Sequence, residues 1–154
     1  MTTFPLVSEM IDLTGKRALV TGGGKGIGAA ISRRLVEAGA SVTIADIDPD
    51  MSEVANELSA TFALCDITVP EQLEAAVRLA SNESNLDILV NNAGIYPPTG
   101  PIAEVSDEFV SKMLDINVRA QFSASREAAN CMSSGGSIVN ISSIAALRGG
   151  ASIS

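Results

Sequence analysis

RALVTGGGKGIG, running from Arg17 to Gly28, is the stretch whose reading decides the fold. A short apolar, β-rich run (Arg17–Thr21) ends on a cluster of glycines, and a helix-period pattern starts within that cluster. Ile27, Ile31, Leu35 and Ala38 recur at helical spacing, so a helix is predicted over 26–38 with these four on one face, stopped by Gly39. A glycine turn between a strand and a helix is the setting in which a Gly-x-x-x-Gly-x-Gly spacing gains meaning. Gly22, Gly26 and Gly28 lack Cβ atoms, so the turn can be tight, a diphosphate can approach the backbone, and the helix can pack close to the sheet. The start of the helix offers unpaired N–H groups and its positive dipole end to an anion. A P-loop is ruled out, because Lys25 is followed by Gly26 and Ile27 rather than by Ser or Thr.

Outward from this turn, strands and helices alternate. SVTIADI (41–47) is predicted as a second strand closed by Asp48-Pro49, and 50–59 as a short helix. TFALCDI (61–67) follows as a third strand, then a helix over 71–80 with Pro70 in its first turn. DILVN (87–91) is the fourth strand, and the proline-rich segment 96–101 is a loop. Ser106 has the features of an N-cap, with Asp107 and Glu108 in the first turn of a long helix reaching about Met132. Gly135-Gly136 breaks that helix before a fifth strand, SIVNIS (137–142). Continuous apolar strands joined by crossover helices predict a doubly wound α/β fold with a parallel sheet, in one dinucleotide-binding domain over residues 1–154.

Asp46 ends the second strand about twenty residues past the glycines, where a carboxylate can accept both hydroxyls of an adenosine ribose. The same charge repels a 2′-phosphate, which favours NAD over NADP. Lys25 pulls the other way, since a cation beside the glycine turn can meet that phosphate.

Composition narrows the remaining choices. The 154 residues are 46% hydrophobic and 18% charged, which suits a folded core rather than a disordered chain. The net charge of −8 argues against a nucleic-acid binder. No histidine is present, so a Ser-His-Asp triad and a histidine metal site are excluded, and no metal is expected. Cys65 and Cys131 are far apart in sequence and read as small apolar residues. Neither a secretory leader nor a membrane-spanning run is expected, so a cytoplasmic location is the default.

Taken in order, TGGGKGIG (21–28), Asp46, Cys65-Asp66-Ile67, NNAG (91–94), Asn117 and SIVNISS (137–143) resemble the short-chain dehydrogenase/reductase family in its classical form, a Rossmann fold of which five of the usual seven strands are present here. The resemblance implies a cofactor-binding set that begins with Thr21, Gly22, Gly24, Lys25, Gly26, Ile27 and Gly28 along the turn. It continues with Asp46 and Ile47 after the second strand, and with Asp66 at the adenine amino group beside the Ile67 backbone. Asn91, Ala93 and Gly94 would line the adenosine side and brace the sheet, with Ile116 near the nicotinamide ribose. Asn117 and Ser143 form the implied catalytic set, Asn117 holding a proton-relay water and Ser143 bonding the substrate oxygen. Each has a plainer reading: Asp66 as a turn acid, the asparagines as satisfiers of turn backbone, Asn117 as an ordinary helical polar residue, Ser143 as a strand-end cap.

The resemblance also implies a homo-oligomer for the whole protein and a small-molecule alcohol or carbonyl substrate of unspecified identity; the small, mostly nonpolar stretch 145–154 fits an uncharged one only loosely. In this family a tyrosine in a Tyr-x-x-x-Lys pattern, a dozen or so residues past the active serine, acts as the base. That pattern would fall beyond Ser154, and Tyr96 is followed four residues later by Gly100. The 154 residues therefore read as the N-terminal NAD-binding part of an oxidoreductase interconverting a secondary alcohol and a ketone, cut before its base and inactive alone. The alternative is a non-catalytic dinucleotide-binding module or sensor; a methyltransferase-type nucleotide fold is remote, because NNAG and SIVNISS have no place in it.

Overall fold

The computed structural model describes residues 10–98, 100–133 and 135–144. Among these residues five parallel strands form one sheet: β1 (Arg17–Thr21), β2 (Ser41–Asp46), β3 (Thr61–Leu64), β4 (Ile88–Asn91) and β5 (Ser137–Asn140). Their spatial order is β3-β2-β1-β4-β5. Chain order runs outward from β1 to β3, then returns to the other side of β1, so the direction of winding reverses between β1 and β4. In such sheets the crevice past the carboxyl ends of the strands at that reversal is where ligands bind.

Each parallel step is bridged by helix: α1 (Gly26–Glu37), α2 (Met51–Glu57), α3 (Pro70–Ser81), and a long segment built of α4 (Asp107–Leu114) and α5 (Ala120–Cys131). Successive strand residues point to opposite faces, which splits the core into two layers. Ala18, Val20, Val42, Ile44 and Val90 pack with Ala55, Ile31 and Leu35 on the α1–α2 side. Leu19, Ala45, Ala63 and Leu89 pack with Leu73, Ala76, Val77, Ala124 and Ala128 on the α3–α5 side. This double burial is why the central strands read as unbroken apolar runs.

Three expectations change. Ile27 is 65% exposed and does not join the core face, where Ile31 and Leu35 do the packing. The third strand ends at Leu64 rather than Ile67, and the chain from Asp66 turns into α3, which starts on Pro70. The long helix is interrupted by a π turn over Asp115–Arg119, in which the Ala120 N–H bonds the Asp115 carbonyl. Ser106 does cap α4, accepting the Phe109 N–H at 3.2 Å. Cys65 is buried and Cys131 half-buried, both unpaired and against the α3–α5 core. β5 is one of the two edge strands of this sheet, with Ile138 and Val139 both exposed.

At the amino ends of the strands, Asp87 ties β4 to β1. Its carboxylate accepts the Arg17 N–H at 3.0 Å and the Lys16 ammonium at 3.1 Å. The Arg17 N–H, more than the lysine, holds this carboxyl below the usual aspartate range. A depressed folded-state pKa contributes stability that is present above the unfolded value and is lost as pH falls through the folded one. Urea unfolding followed from neutral pH to below 3.8 is expected to show this loss, and Asp87→Asn to flatten that part of the acid profile.

Candidate functional site

A crevice of about 410 Å³ opens over the carboxyl ends of the central strands. Gly22, Lys25, Ile27 and Gly28 line it from the glycine turn, Asp46 and Ile47 from the end of β2, and Asp66 and Ile67 from the end of β3. Ala93 and Gly94 come from the loop after β4, and Ile116 from the π turn. Thus eleven of the residues singled out from sequence meet in one place. The crevice also takes Ala45, Cys65, Asn92 and Ile95, which the motif reading did not select as ligand contacts.

Thr21 holds the two walls together from below. It is 2% exposed, and its hydroxyl oxygen accepts the N–H of Asn92 and of Ala93, both at 3.1 Å, while donating to the Val90 carbonyl at 3.4 Å. The Asn92 amide returns the contact by donating to the carbonyls of Thr21 and Gly22 at 3.0 and 2.9 Å. The backbone loops after β1 and β4 are thereby pinned side by side. Their approach needs glycine: a Cβ on Gly22, whose φ is +61°, would lie 2.9 Å from Ala93 Cα, and one on Gly28 would lie 2.0 Å from the Gly22 carbonyl oxygen. Helix α1 starts without a side-chain cap, so its first-turn N–H groups are available to a ligand.

The acidic residues are held by backbone donors. Asp46, 4% exposed, accepts the Gly24 N–H on one oxygen and the Asp48 N–H on the other. Asp66 accepts both the N–H and the hydroxyl of Thr68 on Oδ1, so it shapes the turn into α3 while also lining the crevice. Between them, burial first and the Asp66 charge second push the Cys65 thiol up to about 11. It stays a protonated part of the crevice floor.

The remaining candidates lie around the crevice rather than on its lining. Gly26, with φ of +55°, begins α1 beside open space. Asn91 is fully buried and braces the sheet: its amide donates to Asn140 Oδ1 at 2.8 Å and to Ser125 Oγ at 3.0 Å. The lining position falls to its neighbour Asn92. Asn117 clamps the loop after β4, accepting the Ile95 N–H at 2.9 Å and donating to the Ile95 carbonyl at 3.0 Å. Asn117 lies within the π turn, and the pairing passes beside Gly94, whose added Cβ would lie 3.0 Å from Asn117 Oδ1. Ser143 follows β5 at the same edge of the sheet, exposed and outside the crevice lining.

Fold and crevice define a Rossmann-type nucleotide-binding domain, and comparison with known proteins makes the class specific. Residues 16–154 match the family model of the short chain dehydrogenases. The chain is 41% identical over 145 residues to the 3-oxoacyl-(acyl-carrier-protein) reductase of Rickettsia prowazekii, covering 91% of this chain and 58% of that protein. It is 39% identical over 134 residues to the L-fucose dehydrogenase of Bos taurus, covering 84% and 50% respectively. Among solved structures, a short chain dehydrogenase of Burkholderia cenocepacia in complex with NADP aligns with a TM-score of 0.84 at 37% identity, over 91% of this chain and 60% of that one. A 7α-hydroxysteroid dehydrogenase complexed with NADH and 7-oxo glycochenodeoxycholic acid aligns at 0.88 and 33%, over 96% and 61%. The chain belongs to the short-chain dehydrogenase/reductase family. It spans little more than half the length of the curated relatives it matches.

Two outcomes follow from the crevice floor. Thr21→Val keeps the shape but orphans two N–H groups, each at a cost of about 1–3 kcal/mol. Urea denaturation is expected to show that loss, with Thr21→Ser recovering most of it. Iodoacetamide at mildly alkaline pH is expected to leave Cys65 unmodified in the folded protein and to alkylate it after unfolding, as read by peptide mass.

Proposed function

We propose that these 154 residues are one NAD-binding domain of an oxidoreductase that interconverts a secondary alcohol and a ketone on a small-molecule substrate. The observation that carries the reading is the joint placement of the Gly22–Gly28 turn and the Asp46 carboxylate on one crevice. The residues fit the group: a turn stripped of Cβ atoms and an uncapped helix start for a diphosphate, and a buried carboxylate for a ribose diol. Asp66 and Ile67 would hold the adenine, and Ala93, Gly94 and Ile116 the path toward the nicotinamide. The bound dinucleotide would supply hydride chemistry; the chain supplies binding and orientation.

Asp46 favours NAD, because a fixed negative charge meets hydroxyls well and a 2′-phosphate badly. Lys25 is exposed and makes no ion pair among the described residues, and it opposes that preference without reaching the same buried position. Asn117 would act through the loop it clamps, and Ser143 would bond the substrate oxygen at the carboxyl edge of the sheet. The tyrosine and lysine of the family pattern have no counterpart within 1–154, so this segment alone would bind without turnover.

The reading extends to a cytoplasmic homo-oligomer with no nucleic-acid or membrane partner. No helix among the described residues is long and apolar enough to cross a membrane. Val110, Leu114, Val118 and Phe122, all exposed, run at four-residue spacing along α4, the π turn and α5, an apolar stripe suited to a second copy.

NADH titrated by fluorescence or calorimetry is expected to saturate below millimolar, with NADPH weaker and Asp46→Ala costing NADH roughly tenfold or more, as loss of a charge-assisted hydrogen bond should. Absence of NADH binding at millimolar ligand would overturn the assignment. Alcohol-dependent NAD reduction by the product of the whole reading frame tests the reaction, and binding there without turnover would favour a sensor.

A further inference from the structure

The motif reading gives physical reasons for glycine at positions 22, 26 and 28, and none at 24. The structure supplies one. A Cβ built on Gly24 would lie 2.3 Å from Met51 Cβ and 2.4 Å from Met51 Cγ, at the first residue of α2. Met51 Cβ is fixed to the helix backbone, so no rotamer change removes that clash. The absence of a side chain lets the turn lie against α2, and from there the Gly24 N–H donates to Asp46 Oδ2 at 3.1 Å.

Asp46 depends on that bond. An ionised carboxylate at 4% exposure is costly unless its oxygens are hydrogen-bonded. One oxygen is served locally, by the Asp48 N–H at 3.2 Å in the turn that follows β2. The other is served from the glycine turn after β1, by the Gly24 N–H. With one backbone donor on each oxygen, the carboxylate plane is set and each oxygen keeps acceptor capacity for a further hydroxyl. Two acceptors presented side by side in a fixed plane match a vicinal diol.

We infer that Gly24 is the positioning residue that sets ribose specificity: its N–H, admitted under Met51 by the missing side chain, holds the Asp46 carboxylate in the attitude that reads a 2′,3′-diol. The proposal rests on the dinucleotide reading above and adds to it the residue that enforces the choice between a 2′-hydroxyl and a 2′-phosphate. A carboxylate held in this way cannot swing aside to admit a phosphate, so the discrimination resides in the Gly24–Asp46 contact as well as in the Asp46 charge. The contact also joins the diphosphate turn to the ribose reader, so disorder at one end reaches the other.

The test compares NADH and NADPH affinities by calorimetry in the wild type, in Gly24→Ala, and in Gly24→Ala combined with Met51→Gly, with thermal melts confirming the fold. Gly24→Ala is expected to weaken NADH at least tenfold and NADPH by less than threefold, and Met51→Gly, by removing the opposing Cβ, to restore most of the preference. Gly24→Ala that keeps the wild-type NADH-to-NADPH ratio, or that loses both dinucleotides equally, overturns the proposal while leaving the site itself intact. Wild-type protein that binds neither dinucleotide overturns the underlying assignment instead.

Should the variants fail to fold, amide NMR of the wild type decides. Adenosine is expected to move the Gly24 and Asp48 resonances and 2′,3′-dideoxyadenosine to leave them in place; equal shifts with both would refute the coupling.

Discussion

One buried hydroxyl organises the working end of this domain. Where the sheet reverses its winding between β1 and β4, two loops leave adjacent strands in different directions, and nothing in the strand ladder holds them in register beyond Val90. Thr21 Oγ1 closes that gap by accepting from Asn92 and Ala93. Because the hydroxyl is buried, water does not compete for it, and the cost of leaving either N–H unpaired enforces the geometry. The crevice walls, the glycine contacts and the clamp of Asn117 on Ile95 all sit on this junction.

The crevice is acidic in a chain of net charge −8, yet the ligand proposed for it carries phosphates. The resolution lies in backbone dipoles. Asp46, Asp66 and Asp87 all accept main-chain N–H bonds, and of the three only Asp87 also pairs with a lysine among the described residues, Lys16. The uncapped start of α1 offers the same kind of donor to a ligand. Among the described residues lining the crevice, Lys25 is the single cation.

Much of the architecture was legible because it is written in short-range patterns. The apolar runs at Ala18–Val20 and Leu89–Val90 announced strands covered on both faces, and the glycine turn announced the crevice edge. Ile27 shows the limit of helical spacing: its fourfold spacing with Ile31 is intact, yet its side chain is exposed and lines the crevice instead of packing in the core. The π turn at Asp115–Arg119 was equally hidden, because an extra residue per turn leaves no compositional mark.

The sequence by itself determined the alternation of strands and helices, the family, and most of the residues that meet at the crevice, because hydrophobic period and glycine placement are local properties. Only the tertiary structure decided how those residues divide the work. It separated Asn91, which braces the sheet, from Asn92, which lines the crevice, and it brought Gly24 under Met51 and against Asp46. Such divisions depend on distances between residues far apart in the chain. Those distances are set by how β1, β2 and β4 lie in the sheet, which no single stretch of the chain contains.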